Sequence, residues 1–257
     1  MVLEGDCVDQ KKYSFDKLQM FFGEDYKIAD GIIISQPTIG DIMAFGEDRF
    51  YQVLNPFVIN PTSFRVVLWQ NKIDWTTMTD YELFYKLILQ LKPPQSETSI
   101  IFGDLDFGKF NLYKRQNEVD GEIVEDIVLL NSEQNVIIDE EIYSHMSCYL
   151  RTMFNIFPKV EKAKGKTTKE WMIEEDILKS QNQPPSDSNL LSMISFCLNH
   201  PGFKYKKSEL KDLGIVEFND SVQRLLIYES TSSLMKGIYS GFVDTSKIDK
   251  KEFDFMR

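Results

Sequence analysis

Residues 26–45 read YKIADGIIISQPTIGDIMAF, and the pattern changes period halfway along. Two β-rich runs, Tyr26–Ala29 and Ile32–Ile34, flank Asp30-Gly31. An Asp-Gly pair between such runs marks a tight hairpin, because both residues tolerate positive φ. Pro37 then ends the strand, and Thr38 ahead of Ile39 fits a helix N-cap, where its hydroxyl can accept from a free backbone N–H. One stretch therefore holds both a hairpin and a helix start, which places the chain in the α+β class.

On the N-terminal side, residues 1–25 are polar apart from Phe15 to Phe22, which predict a short helix or docked arm. On the other side, residues 39–92 read as short helices, with apolar faces at Ile39, Ile42 and Met43 and at Phe50, Val53 and Leu54. Gly46 and Pro56 punctuate them, and Asn60-Pro61-Thr62 opens a segment carrying Phe64, Val67 and Leu68. Asp74 or Thr79 caps a helix through Tyr81, Phe84, Tyr85, Ile88 and Leu91, and Pro93-Pro94 stops it. Residues 98–138 change to a strand pattern with turns at Asp120-Gly121 and Ser132–Asn135, a three-stranded meander. Asp139 caps a helix to residue 157, and Pro158 ends it. The polar stretch KVEKAKGKTTK follows, then helices at 168–182, 187–199, 207–213 and 216–240. The expected architecture is predominantly α-helical, with a short N-terminal hairpin and a small antiparallel sheet around residues 108–138. Its segments are 1–95, 96–138 and 139–257, or one compact domain overall.

The chain has 257 residues, 42% of them hydrophobic, enough to bury roughly 70–75% of the unfolded surface without metal or disulfide staples. A formal net charge of -11 argues against a nucleic-acid partner, which selects a basic face, and against anionic membranes. No apolar run nears the length of a membrane span, and MVLEGDCVDQKK has no apolar signal segment. Cys7, Cys148 and Cys197 are odd in number and far apart, which points to a reducing compartment.

Local motifs give little chemistry. Lys164-Gly165-Lys166-Thr167 imitates the end of a phosphate-binding loop, but position 160 is Val where that loop needs glycine. Asp104-Leu105-Asp106-Phe107-Gly108 resembles a calcium loop, but Lys114 stands where the bidentate Glu belongs. His145 lies four residues after Glu141, a spacing that serves a surface contact or a shared metal, and His200 fits a helix C-terminus. No nucleophile motif is present, so no catalytic, cofactor-binding or metal-binding residue is assigned. Lys159, Lys162, Lys164, Lys166 and Lys169 face one acid, Glu161. They form either a solvated loop or a contact for an acidic partner helix. Trp69, Trp75 and Trp171 read as core residues first and partner anchors second. The candidate partner-binding residues are Lys159, Lys162, Lys164, Lys166, Trp171, Leu225 and Leu226.

Two stretches carry a resemblance. Residues 36–54, QPTIGDIMAFGEDRFYQVL, continue into LWQNKIDWTTMTDYELF at 68–84, and residues 203–248 begin FKYKKSELKDLGIVEFNDSV. Together they resemble the tail assembly chaperones and related baseplate-assembly factors encoded among the tail genes of tailed bacteriophages and prophages of Gram-positive bacteria. A PTIGD-like helix start is common in those chaperones. So is an EL-DL---EF---V pattern, matched here by Glu209, Leu210, Asp212, Leu213, Glu217, Phe218 and Val222. The chain departs from the simplest chaperones in its length and in the inserted sheet at 98–138. The resemblance implies a non-enzymatic protein of the host cytoplasm, without cofactor, that binds the tape measure or other tail proteins such as tube or baseplate subunits. A structural tail or baseplate subunit of the virion is the alternative it implies.

Overall fold

The computed structural model describes residues 13–119, 122–182, 188–244, 246 and 248–256. It is a mainly helical α+β fold. A short helix α1 (Lys17–Phe21) leads into the antiparallel hairpin β1 (Tyr26–Ala29) and β2 (Ile32–Ile34). Ile32 and Ile34 are fully buried and Ile33 points out, the two-residue alternation of a strand. Gly31 sits at φ 79°, and a Cβ there would lie 2.5 Å from Val136 Cγ2, so the turn needs glycine for its conformation and for its contact with the larger sheet.

Thr38 closes a reciprocal cap on α2 (Ile39–Phe45): its hydroxyl accepts from the Asp41 N–H at 3.0 Å, and Asp41 accepts from the Thr38 N–H at 2.9 Å. Gly46, at φ 97°, joins α2 to α3 (Glu47–Val58). Pro56 does not punctuate, contrary to the sequence reading. It lies inside the last turn of α3, where the helix has only two further residues to make, and the buried Phe57 and Val58 hold that turn. After α4 (Arg65–Gln70), α5 (Asp80–Leu91) is capped by Thr79, and Asp74 instead accepts from the N–H of Thr76 in the preceding turn. Lys92, left-handed at φ 43°, ends α5 ahead of the two prolines.

The strand pattern begins later than the sequence suggests. Residues 98–102 belong to α6 (Gln95–Phe102), which follows Pro94, buries Thr98, Ile101 and Phe102, and closes at Gly103. The larger sheet is β3 (Asn111–Val119), β4 (Glu122–Asn131) and β5 (Val136–Ile138), antiparallel in that order. The expected turn at Ser132–Asn135 connects β4 to β5, and the one at Asp120-Gly121 lies outside the described residues. Tyr81 on α5 ties the helices to this sheet by donating its hydroxyl to the Ile138 carbonyl at 2.8 Å.

Helix α7 (Glu140–Phe154), capped by Asp139, runs through the middle and packs on α3, α5, β1, β5 and the long α10 (Ile215–Tyr239). It stops at Asn155, which is left-handed at φ 54°, short of Pro158. Helices α8 (Lys166–Asn182) and α9 (Asn189–Asn199) come between, and the expected helix at 207–213 is reduced to a 3-10 turn over Leu210–Asp212. Residues from all three segments, including Phe57, Leu129, Met146 and Phe218, share one buried cluster. A second, smaller cluster under α8 holds Leu68, Trp75, Leu83, Ala163 and Ile173. Among the described residues no helix is long and apolar enough to cross a membrane.

Arg151 of α7 is 6% exposed. It donates to the Val58 carbonyl at 2.8 Å, the Ile59 carbonyl at 3.1 Å and Asp80 at 2.9 Å, joining the end of α3 to the start of α5. Replacement by methionine keeps the stem and leaves two carbonyls and a carboxylate without that donor. Arg151→Met is expected to lower the unfolding free energy by about 3 kcal/mol. Asp80→Asn, which keeps an acceptor but removes the counter-charge of a buried guanidinium, is expected to lower it by about 1–2 kcal/mol, less than the loss of the arginine. Urea unfolding followed by circular dichroism reads both.

Candidate partner-binding groove

Helix α5 is apolar on two sides. Tyr81, Phe84 and Ile88 face the central cluster. Leu83, Leu87 and Leu91 recur every four residues and form one wall of an open groove of about 610 Å³. The opposite wall comes from α4 through Phe64, Val67 and Leu68, and the end of α3 contributes Pro56 and Ile59. Pro56 contributes its apolar ring carbons to the lining, and it lacks the N–H that would bond the preceding turn of the helix. Gln52, Asn55, Asn71 and Gln90 give the lining its amide groups, and Lys86, bonded to Glu82 at 2.5 Å, is its single charged side chain. A trough with apolar walls and a few polar groups has the chemistry to take the apolar face of a helix or an apolar small molecule.

Two charge clusters fix the back of this groove. Arg65 of α4 donates to both oxygens of Asp176, at 2.6 Å and 2.8 Å, and also to Glu161. Lys169 donates to Asp74 at 2.5 Å and to Thr76 at 2.8 Å, and its ammonium lies 5.8 Å from the centre of the Trp75 ring. Through these pairs α8 is held against α4, over the small cluster that shares Leu68 and Leu83 with the groove. The bond from Arg65 holds the Asp176 carboxyl below the usual range, the bond from Lys169 does the same for Asp74, and Asp176 in turn raises Arg65.

The seven residues singled out from sequence fall on the connection before α8, on α8 and on α10. Lys159, Lys162 and Lys164 are exposed on the connection to α8, and Lys166 opens the helix. That connection is pinned: Asn60 donates to the Lys159 carbonyl at 3.0 Å and Ala163 is buried. Lys169 turns inward, away from the other lysines, because Asp74 and Trp75 are beneath it. Trp171 is 76% exposed, whereas Trp75 is 2% exposed, so the core reading fits Trp75 and not Trp171. Leu225 and Leu226 lie on α10, where Leu225 faces the central cluster and Leu226 is 53% exposed. The groove itself was missed. Its signal was the second leucine stripe of α5, hidden because the core-facing residues already satisfied a helical pattern.

The remaining candidates are tied into the fold. His145 bonds Tyr26 at 3.1 Å and stacks on Tyr13 and Phe15, and burial holds its pKa down. His200 bonds Glu229 at 3.0 Å and accepts from the Gly202 N–H. Asp106 accepts from the Gly108 N–H at 2.9 Å in a turn ahead of β3. Cys148 and Cys197 are buried thiols. Among the described residues no group of three or more His, Cys, Asp or Glu side chains is placed to hold a metal ion. No protein family, curated protein or solved structure was found to match the chain.

The lowered carboxyl groups make the α8 contact acid-sensitive. Asp74 and Asp176 bind protons less readily when α8 is docked, so their contribution is complete above the ordinary carboxylate pKa of about 4 and disappears as pH falls through their depressed values. Hydrogen exchange in residues 166–182 is expected to accelerate on acidification below that value, after correction for intrinsic rates. Asp176→Asn is expected to raise exchange there at neutral pH and to flatten the acid response.

Proposed function

We propose that this chain is a non-enzymatic assembly factor of phage tail morphogenesis, a chaperone whose α3–α4–α5 groove holds an apolar helical segment of the tape measure or another tail protein. The observation that carries the reading is the groove itself, with the leucine stripe of α5 facing Phe64 and Val67 across an open trough. The sequence resemblance supplies the biological setting, and the surface chemistry agrees with it. A helix rich in apolar side chains gains roughly 25 cal/mol for each Å² it buries in such a trough, and it is kept from self-association while bound. A net charge of -11 keeps the loaded complex dispersed by mutual repulsion. The exposed lysines before and at the start of α8 offer a separate contact for acidic side chains on the same client.

Val67 and Leu91 line the groove and are partly open to solvent, so they can be changed without breaking the core. Co-expression with the tape-measure protein is expected to keep that protein in the soluble fraction. Val67→Glu is expected to weaken its binding by about 100-fold, the effect of a charge set in an apolar contact. Equal solubilisation by wild type and variant would remove the groove from the function. Mass spectrometry of purified particles separates the two roles implied by the resemblance. A chaperone is lost before maturation, and a chain retained at stoichiometric copy number is a permanent tail or baseplate subunit.

A further inference from the structure

A group of rings closes over His145 of α7. Residues 13–15 lie across the helix as a strap, and two rings of the strap lie flat against the imidazole. Tyr13 is 4.7 Å from it at an angle of 5°, and Phe15 is 5.6 Å from it at an angle of 9°. Phe15 also sets its edge against Tyr26 and Tyr149, which stack on each other at 4.3 Å. Tyr149 is only 1% exposed. The Tyr13 hydroxyl donates to the Glu141 carbonyl at 3.3 Å, one turn earlier on α7. Helix α1, which follows the strap, has anchors of its own. Asp16 caps it, Met20 is buried, and Gln36 donates to the Met20 carbonyl at 2.7 Å. The strap can therefore leave α7 without taking α1 with it.

Histidine is the side chain whose ordinary pKa lies near neutrality. The neutral Nε2 of His145 can accept the Tyr26 O–H, 3.1 Å away, whereas an imidazolium donates from both nitrogens and ends that arrangement. Glu141, four residues earlier on α7, and the faces of Tyr13 and Phe15 favour the charged ring. Burial opposes it more strongly and holds the His145 pKa below its ordinary value. The other titratable groups around the ring are Tyr26 on β1, Tyr149 on α7, and Asp25 just before β1, whose charge acts on Tyr149.

We propose that His145 is a proton-operated latch: uptake of a proton by its ring releases Tyr13 and Phe15 from α7 and opens Tyr26 and Tyr149 to solvent. The ring binds a proton less readily with the strap docked. Docking is therefore fully favoured above about pH 6.5, the ordinary histidine value, and loses that contribution as pH falls from there to the lowered value. The latch shares no residue with the lining of the α3–α4–α5 groove, so it stands whether or not that groove binds a helix.

Hydroxyl-radical footprinting of the full chain, read by mass spectrometry from about pH 7.5 to about pH 5, tests this above the range in which the α8 contact is lost. Oxidation of Phe15, Tyr26 and Tyr149 is expected to rise several-fold on acidification, while Trp75, 2% exposed, stays protected. His145→Phe keeps a stacking ring that takes no proton, and it is expected to keep the three rings protected at both ends of the range. The chain has two histidines, so the ring protons of His145 can be followed directly by nuclear magnetic resonance. Tyr13→Ala uncovers the imidazole and is expected to raise its titration midpoint toward the ordinary value. A wild-type footprint that does not change with pH, an equal rise in His145→Phe, or a midpoint that Tyr13→Ala leaves unmoved overturns the latch.

Discussion

The guanidinium of Arg151 is buried between three helices, and a charge in that position is tolerated only if its donors are used. Two of its acceptors are the Val58 and Ile59 carbonyls at the end of α3, groups that a helix C-terminus leaves without internal partners. The third is Asp80, in the first turn of α5. One side chain thereby fixes where α3 ends and where α5 begins. The chain between them, residues 60–79, must leave and return at those points, and α4 is the bracket it forms. The trough between α4 and α5 is a consequence of that geometry, which makes Arg151 a remote determinant of its width.

The attachment of α8 follows a different principle. Ile173 is its one fully buried side chain among the described residues. Met172 and Ile177 pack beside it on the small cluster, and charge adds the direction: the fork between Arg65 and Asp176, and Lys169 bonded to Asp74 and Thr76. Contacts of that kind are directional and respond to salt, unlike the apolar packing around α7. The fold thus combines a centre set by shape with a flank set by electrostatics, and Leu68 and Leu83 belong to both the flank and the trough.

Much of the architecture was legible in local sequence. The Asp30-Gly31 turn, the Thr38, Thr79 and Asp139 caps and the long α10 are each fixed by short-range chemistry, and each stands where its residues predict. The errors came where distant contacts decide. Residues 98–102 are β-compatible by composition, yet they coil into α6, where Ser35 donates its N–H to the Ile101 carbonyl at 2.8 Å and binds the helix to the hairpin. Pro56 ends a helix in a generic chain, but here the burial of Phe57 and Val58 carries α3 past it. The outward aim of Trp171 was not readable, because Ile173 and Asp176 choose the inward face through Leu68, Trp75, Leu83 and Arg65, which are far away along the chain.

The β3–β4 ribbon extends well beyond β5, which pairs only with Leu129–Asn131. Its outer part therefore presents backbone that could template a foreign strand. Cross-strand charges occupy that part: Lys114 with Glu125 at 3.1 Å, and Arg115 with Asp126 at 2.6 Å. An incoming strand would have to strip water from these ions to pair there. Arg115 also reaches Asp139 at the start of α7 at 3.0 Å, so the ribbon is tethered to the body by the same residue whose charge guards its edge against amyloid-like stacking.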